Sequence, residues 1–205
     1  MNNIYLLSDK KVDGAISLPI FEVKYISSSI DFSKYDILIF TSKNAIYALD
    51  SFCDSWKDIP CVAIAPKTAN ILKTYGANLI FTGTSGHGDD FANELLPIIK
   101  DKKVLYLRGS KVVSNLIEIL QCDDIVVYET VCKEFTTKPT IPPYSAIIFS
   151  APSTIKCFLE NFTWDKTYKA ISIGKTTAKY FPNYITPIIS PKTSLESCIE
   201  IATEI

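Results

Sequence analysis

The sequence predicts an α/β protein built from two parallel-sheet lobes, and three observations carry the prediction. Short apolar runs rich in β-branched residues alternate with segments of helical period along the chain. A strand-turn-helix motif occurs twice with the same internal spacing. The composition, 47% hydrophobic and 21% charged, is that of an ordinary globular chain without low-complexity tracts. At 205 residues the chain has room for one domain or two small ones.

Taken in order, the first strand is expected at residues 4–7 and the second at 37–40. Behind the second, Ala45, Ile46, Leu49, Phe52 and Cys53 fall on one apolar helical face. A strand at 61–64 leads into a helix at 67–75, and Gly76 sits where a helix-ending glycine belongs. Strands at 78–81, 104–107 and 125–128 bracket helices at 91–99 and 112–120. The last third repeats the alternation, with strands at 146–149, 170–173 and 183–185 and a helix at 153–161. The final helix is expected to open at Thr193, because Glu196 three residues on makes a capping-box spacing ahead of Ile199 and Ile201.

The internal repeat refines the layout. Asp36-Ile-Leu-Ile-Phe-Thr-Ser-Lys-Asn-Ala-Ile46 echoes Ser145-Ala-Ile-Ile-Phe-Ser-Ala-Pro-Ser-Thr-Ile155, and Cys61–Ala69 echoes Ala170–Ala178. From Thr41 to Thr68 is 27 residues, and so is Ser150 to Thr177. Two echoes at one spacing argue for two lobes of like architecture. The first strand has almost no pairing partners before Pro19, so it is expected to join the C-terminal lobe. One discontinuous domain then comprises 1–20 and 132–205, an inserted domain comprises 25–128, and extended crossings lie near 18–26 and 125–135. A cleft between such lobes is the usual place for a small-molecule site.

Several functions are disfavoured. With 21 basic against 22 acidic residues the formal charge is −1, which argues against a cationic nucleic-acid binder. Apolar runs such as Ile37–Phe40 are far shorter than a membrane span, and Lys10-Lys11 follow the opening segment with no cleavage site. A cytoplasmic protein is expected. The six cysteines, at 53, 61, 122, 132, 157 and 198, form no C-x-x-C pair. They are expected to be reduced, buried small hydrophobes, with neither structural zinc nor a disulfide framework. Gly174-Lys175-Thr176 resembles the end of a phosphate-binding loop, but the glycine needed five positions earlier is Lys169. Gly83, Gly86 and Gly88 run in the wrong order for a dinucleotide fingerprint, and His87, the one histidine, has no second ligand beside it.

The strand-to-helix junctions carry more. Thr41, Ser42, Thr68, Ser150, Thr176 and Thr177 put hydroxyls where helix N-caps belong. Capping alone, worth about 1 kcal/mol per helix, accounts for them. Helix N-termini at the carboxyl ends of parallel strands also attract anions. At about 0.3–1 kcal/mol each, four such ends fall short of the roughly 8 kcal/mol of micromolar binding. Main-chain hydrogen bonds and ring burial must supply the remainder for a ligand rich in carboxylates. Tyr128 ends a strand on the second crossing, and Arg108 follows another; the arginine either meets a carboxylate, caps its own loop or points to water.

Taken together, Ile39-Phe40-Thr41-Ser42, Leu107-Arg108-Gly109, Val127-Tyr128-Glu129-Thr130, Phe149-Ser150-Ala151-Pro152-Ser153 and Ile173-Gly174-Lys175-Thr176-Thr177-Ala178 span most of the chain. In that order they resemble the uroporphyrinogen-III synthase family. The resemblance implies two flavodoxin-like lobes joined by a two-stranded β-ladder, with the tetrapyrrole bound between them. It also implies a cofactor-free lyase. Hydroxymethylbilane loses water, its terminal pyrrole ring is inverted through a spiro intermediate, and the macrocycle closes as the III isomer. Thr41, Ser42, Thr68, Thr177 and Lys169 match substrate-binding positions, and Tyr128 is the candidate donor to the departing hydroxyl. Thr176 and Arg108 are grouped with them. A monomer is expected, without membrane or nucleic acid, in transient contact with the upstream bilane-forming enzyme.

This sequence departs from the family pattern in three places. Only ten residues separate Leu7 from Leu18, so the helix usual there is missing. Ser8-Asp9 replaces an arginine common in bacterial members. Ala151 stands where a serine precedes the proline, leaving Ser150 or Ser153 as substitutes. Two rival readings remain: a non-catalytic two-lobed binder of a small polycarboxylate, and a nucleotide-dependent enzyme built on Gly174-Lys175-Thr176.

Overall fold

The computed structural model describes residues 3–112 and 114–205. In chain order its first elements are β1 (Ile4–Leu6), β2 (Ile16–Ser17), β3 (Phe21–Tyr25), β4 (Ile37–Phe40), α1 (Lys43–Asp50), β5 (Cys61–Ala63), α2 (Pro66–Thr74), β6 (Leu79–Thr82) and α3 (Gly88–Leu95). They continue with β7 (Val104–Gly109), α4 (Leu116–Leu120), β8 (Asp123–Cys132), β9 (Ala146–Phe149), α5 (Pro152–Asn161), β10 (Lys169–Ser172), α6 (Lys175–Ala178), β11 (Ile188–Ile189) and α7 (Leu195–Glu204). The chain divides into two compact units: one runs to Glu22 and resumes from Val131 to Ile205, and the other is Val23–Thr130.

The Val23–Thr130 unit is built on the strand order β8-β7-β4-β5-β6, all parallel, with β3 beside β8. The discontinuous unit has the parallel order β11-β10-β9-β1-β2. These are one topology, circularly permuted. Matching β4 to β9 makes β5, β6, β7 and β8 correspond to β10, β11, β1 and β2, which extends the sequence repeat to the whole sheet. The missing helix is then the counterpart of α4, because no helix lies between β1 and β2. The connecting loop fills its place: Val12 and Ala15 pack against the apolar layer formed by Ile4, Leu6, Ile148, Cys198 and Ala202.

Period-two alternation gives each sheet two buried faces, as parallel sheets require. Leu38, Phe40, Leu105 and Leu107 face the layer that holds Ala45, Ile46 and Leu49 of α1. Ile37, Ile39, Val104 and Tyr106 face Phe91, Leu95, Leu116 and Leu120. In the discontinuous unit Ile147 and Phe149 join Ile155 and Phe158 of α5, while Ile148 and Ile171 face α7.

Local chemistry sets the helix ends. Ser42 caps α1 by accepting from Asn44 N at 3.2 Å. At the end of α2, Gly76 has φ +71, its N–H donates to Lys73 O, and Ala77 N donates to Leu72 O, both at 3.0 Å. This closes the helix with the double hydrogen bond of a left-handed C-terminus.

Four expectations shift. α7 is capped by Ser194, which accepts from Ser197 N, one residue after the expected Thr193. α3 starts early, at Gly88, and stops before Pro97, whose missing N–H cannot continue the ladder. α4 keeps only the last turn of the expected 112–120 helix, and Val113 lies outside the described residues. Residues 183–185 form a turn closed by Ile185 N to Pro182 O, so the edge strand is β11 instead.

The cysteine expectation is corrected too. Cys132, ending β8, and Cys157, inside α5, form a disulfide with Cα atoms 5.0 Å apart, while Cys53, Cys61, Cys122 and Cys198 are free thiols. Their separation of 25 residues carries no motif, so only the packing of β8's end on α5 reveals the pair. Closing a loop of this length stabilises by about 3 kcal/mol in the chain-entropy account. Reduction, or Cys132→Ser, is therefore expected to lower stability by about that amount in urea titrations; coincident curves with and without reductant would discount the cross-link.

Candidate functional site

In doubly wound sheets ligands bind at the carboxyl ends of the strands, where helices of neighbouring strands depart to opposite faces. The inserted unit has that point between β4 and β7, since α1 lies on one face and α4 on the other. The Thr41 and Ser42 loop leaves β4 there, and Arg108 and Gly109 end β7. Thr41 Oγ1 and the Tyr106 hydroxyl are 2.8 Å apart in a hydrogen bond. Burial pushes the Tyr106 phenol above its ordinary pKa, opposed by that bond. Tyr106 is therefore a neutral group that fixes Thr41.

Arg108 is not a free guanidinium. Its Nε donates to Asp124 Oδ2 and its Nη1 to Gly109 O at 3.1 Å, so of the open alternatives the loop-capping one describes the geometry. One residue later the β7–β8 register slips: Arg108 pairs with Val126, but Gly109 pairs with Tyr128. This bulge gives β8 an extra residue and re-aims the side chains beyond it. Tyr128 consequently lies over Gly109, half-buried, with its main-chain oxygen accepting from Ser110 N at 2.9 Å.

Other helix starts at strand ends lack side-chain caps. α2 begins after Ala65 with Pro66, α5 after Ala151 with Pro152, and α6 after Gly174, none with a capping side chain. Of the hydroxyls expected as caps only Ser42 is one. Thr68 and Thr177 instead sit buried in the first turn of α2 and α6. Thr154 takes the same place in α5, where its Oγ1 donates to Ala151 O at 2.6 Å and accepts from Ala151 N at 3.4 Å. Ser150 lies half-buried between β9 and the Ala151 cap, and Ser153 and Thr176 are exposed on first turns.

Lys169 does not join this group. It is the first residue of β10, whereas Thr176 and Thr177 follow its last, so a strand length separates them. It borders a cavity with Trp164, Tyr168 and Tyr184 at the amino end of the strand.

Gly83 and Gly88 are packing positions, whereas Gly86 has open space beside it and a φ of +73. A Cβ on Gly83 would lie 2.5 Å from the Phe91 ring and 2.6 Å from Ile64 O; one on Gly88 would meet Ser114 at 2.4 Å. His87 is exposed and caps nothing with its side chain. Gly174 opens a helix of four residues from extended backbone, not a loop wrapped around phosphate. Among the described residues the metal-type cluster is Cys132, Cys157 and Glu160, and its two sulfurs are spent on each other. No described helix is long and apolar enough to cross a membrane.

Comparison with known proteins points the same way. The family model for uroporphyrinogen-III synthase HemD matches residues 14–200. The chain belongs to the uroporphyrinogen-III synthase family. A crystal structure of uroporphyrinogen-III synthetase from Helicobacter pylori is similar at 32% identity and TM-score 0.71, covering 100% of this chain and 99% of that one. A mutant uroporphyrinogen III synthase of the extremely thermophilic bacterium Thermus thermophilus aligns at 12% identity and TM-score 0.49 over 100% of this chain and 98% of that one. No curated protein matches the sequence. As a uroporphyrinogen-III synthase the chain is an enzyme of tetrapyrrole biosynthesis.

Sequence reasoning singled out Thr41, Ser42 and Tyr128 of this synthase but passed over Tyr106, Asp124 and the bulge. The alternation Tyr106-Leu107-Arg108 did place the phenol and the guanidinium on one face. Nothing in one sequence aligns Asp124 with them.

Proposed function

We propose that this synthase is a hydro-lyase that accepts hydroxymethylbilane, releases water from its hydroxymethyl carbon, and closes the macrocycle with the terminal ring inverted. The observation that carries the reading, beyond family membership, is the Tyr128 phenol held over Gly109 at the carboxyl end of the inserted sheet. There a phenol can donate to the leaving hydroxyl. Thr41, Ser42, Thr68, Ser150, Ser153, Thr176 and Thr177, with the first-turn amides of α1, α2 and α5, are proposed to hold substrate carboxylates. Lys169 is left out because it starts its strand.

Proton donation by one side chain does not account for most of the rate. The bilane closes without an enzyme, to the uninverted isomer. Holding one conformer, with the terminal ring's substituted carbon against the reactive methylene, is worth several kcal/mol and decides the product. The test is to supply purified protein with fresh hydroxymethylbilane and separate the isomers by chromatography. The III isomer should form faster than the spontaneous I isomer, and a product mixture identical to the protein-free control sinks the reading. Tyr128→Phe should lower turnover while leaving product affinity near that of the parent.

A further inference from the structure

We propose that Gly109 is a positioning residue for Tyr128: its missing side chain is the space that holds the phenol in its working direction. The inference rests on the proton-donor reading of Tyr128 above and extends it to a residue that has no side chain of its own.

Three observations converge on Gly109. It is buried at the end of β7, with a backbone φ outside the left-handed range, so conformational freedom does not require a glycine there. An added Cβ would stand 2.7 Å from Tyr128 Cζ, 2.9 Å from Cε2 and 3.0 Å from the phenol oxygen. The contact is with the far end of the ring, where the hydroxyl is. The register slip that pairs Gly109 with Tyr128 is what lays the ring across it, and the Arg108–Asp124 ion pair clamps the two strands just before the slip.

The type of atom met decides the consequence. At Gly83 an added Cβ would press on a main-chain carbonyl, which cannot move without disturbing the sheet. At Gly109 the three atoms nearest an added Cβ all belong to one half-buried side chain, which can turn away. A methyl group there should displace the phenol and leave the fold in place. The helix ends proposed to hold carboxylates should be unaffected.

The experiment is a double-mutant cycle on Gly109→Ala and Tyr128→Phe in the full chain, read as kcat and KM for hydroxymethylbilane, with thermal unfolding alongside. Tyr128→Phe should lower kcat roughly tenfold or more. Gly109→Ala should lower it to within about threefold of that value, and the double variant should be no slower than Tyr128→Phe alone. KM and the unfolding midpoint should stay near those of the parent. Normal turnover in Gly109→Ala with slow Tyr128→Phe overturns the positioning role and leaves the donor role standing. Losses that multiply in the double variant also overturn it, because Gly109 would then act without Tyr128. Normal turnover in Tyr128→Phe removes both roles. A measurement independent of any variant's folding is the proton NMR cross-peak between the Tyr128 ring and the Gly109 Hα in the parent protein. Its presence is expected, and its absence overturns the proposal.

Discussion

Trp56→Ala is expected to cost the Val23–Thr130 unit about 3–5 kcal/mol, a large share of the 5–15 kcal/mol that holds most domains together. Trp56 lies in the turn between α1 and β5, yet it is fully buried and its ring centroid is 5.5 Å from that of Phe40. It is a loop side chain acting as a core wedge between the end of β4 and the helical layer. Its indole Nε1 is buried and, among the described residues, has no hydrogen-bond partner. That orphan donor is itself a cost. Trp56→Phe should therefore recover most of the loss, keeping a ring against Phe40 while deleting the unpaired N–H. Urea unfolding followed by far-ultraviolet circular dichroism measures both. An alanine variant within about 1 kcal/mol of the parent would show that the pocket collapses around the truncation.

Phe149→Ala should cost about as much in the other unit, again about 3–5 kcal/mol. Phe149 ends β9 and is fully buried; its ring centroid lies 4.9 Å from Phe181, 5.5 Å from Phe158 and 6.4 Å from Trp164. The Phe181 and Phe158 pairs meet edge to face, an arrangement worth about 0.5–1.5 kcal/mol beyond area burial. Phe149 also directly precedes Ser150, so its anchor sets where the β9–α5 loop leaves the sheet. The chain has two tryptophans, so in a Trp56→Phe background Trp164 alone reports on this cluster. Its fluorescence should shift toward a more exposed environment in Phe149→Ala at unchanged denaturant, and unfolding should begin earlier. An unaltered unfolding curve would refute the prediction.

Much of the fold was legible because it is periodic. Ile37–Phe40 and Ala146–Phe149 read as buried strands, and each is one. The 27-residue spacing of the two echoes corresponds to β4-α1-β5-α2 and β9-α5-β10-α6, which occupy equivalent places in their sheets. Caps were less legible. Thr68 and Thr177 carry the right side chain three residues past the cap position, and a hydroxyl in a first turn looks like a cap until the backbone dihedrals are known. Arg108 was left with three roles because its partner, Asp124, stands 16 residues away on the neighbouring strand. Cys132 and Cys157 sit on a strand end and a helix face, and no spacing rule joins those.

By itself the sequence determined the alternation of strands and helices, the duplicated core, the junctions where hydroxyls gather and the family. All of these depend on residues near one another along the chain or on short motifs, where side-chain period and turn chemistry act locally. Only the tertiary structure decided the permuted strand order, the loop that replaces the missing helix, the Cys132–Cys157 bond, the engagement of Arg108 and the seat of Tyr128 on Gly109. Each of those depends on which distant atoms share a space, and in this chain one extra residue in β8 is enough to change which side chain lies over Gly109.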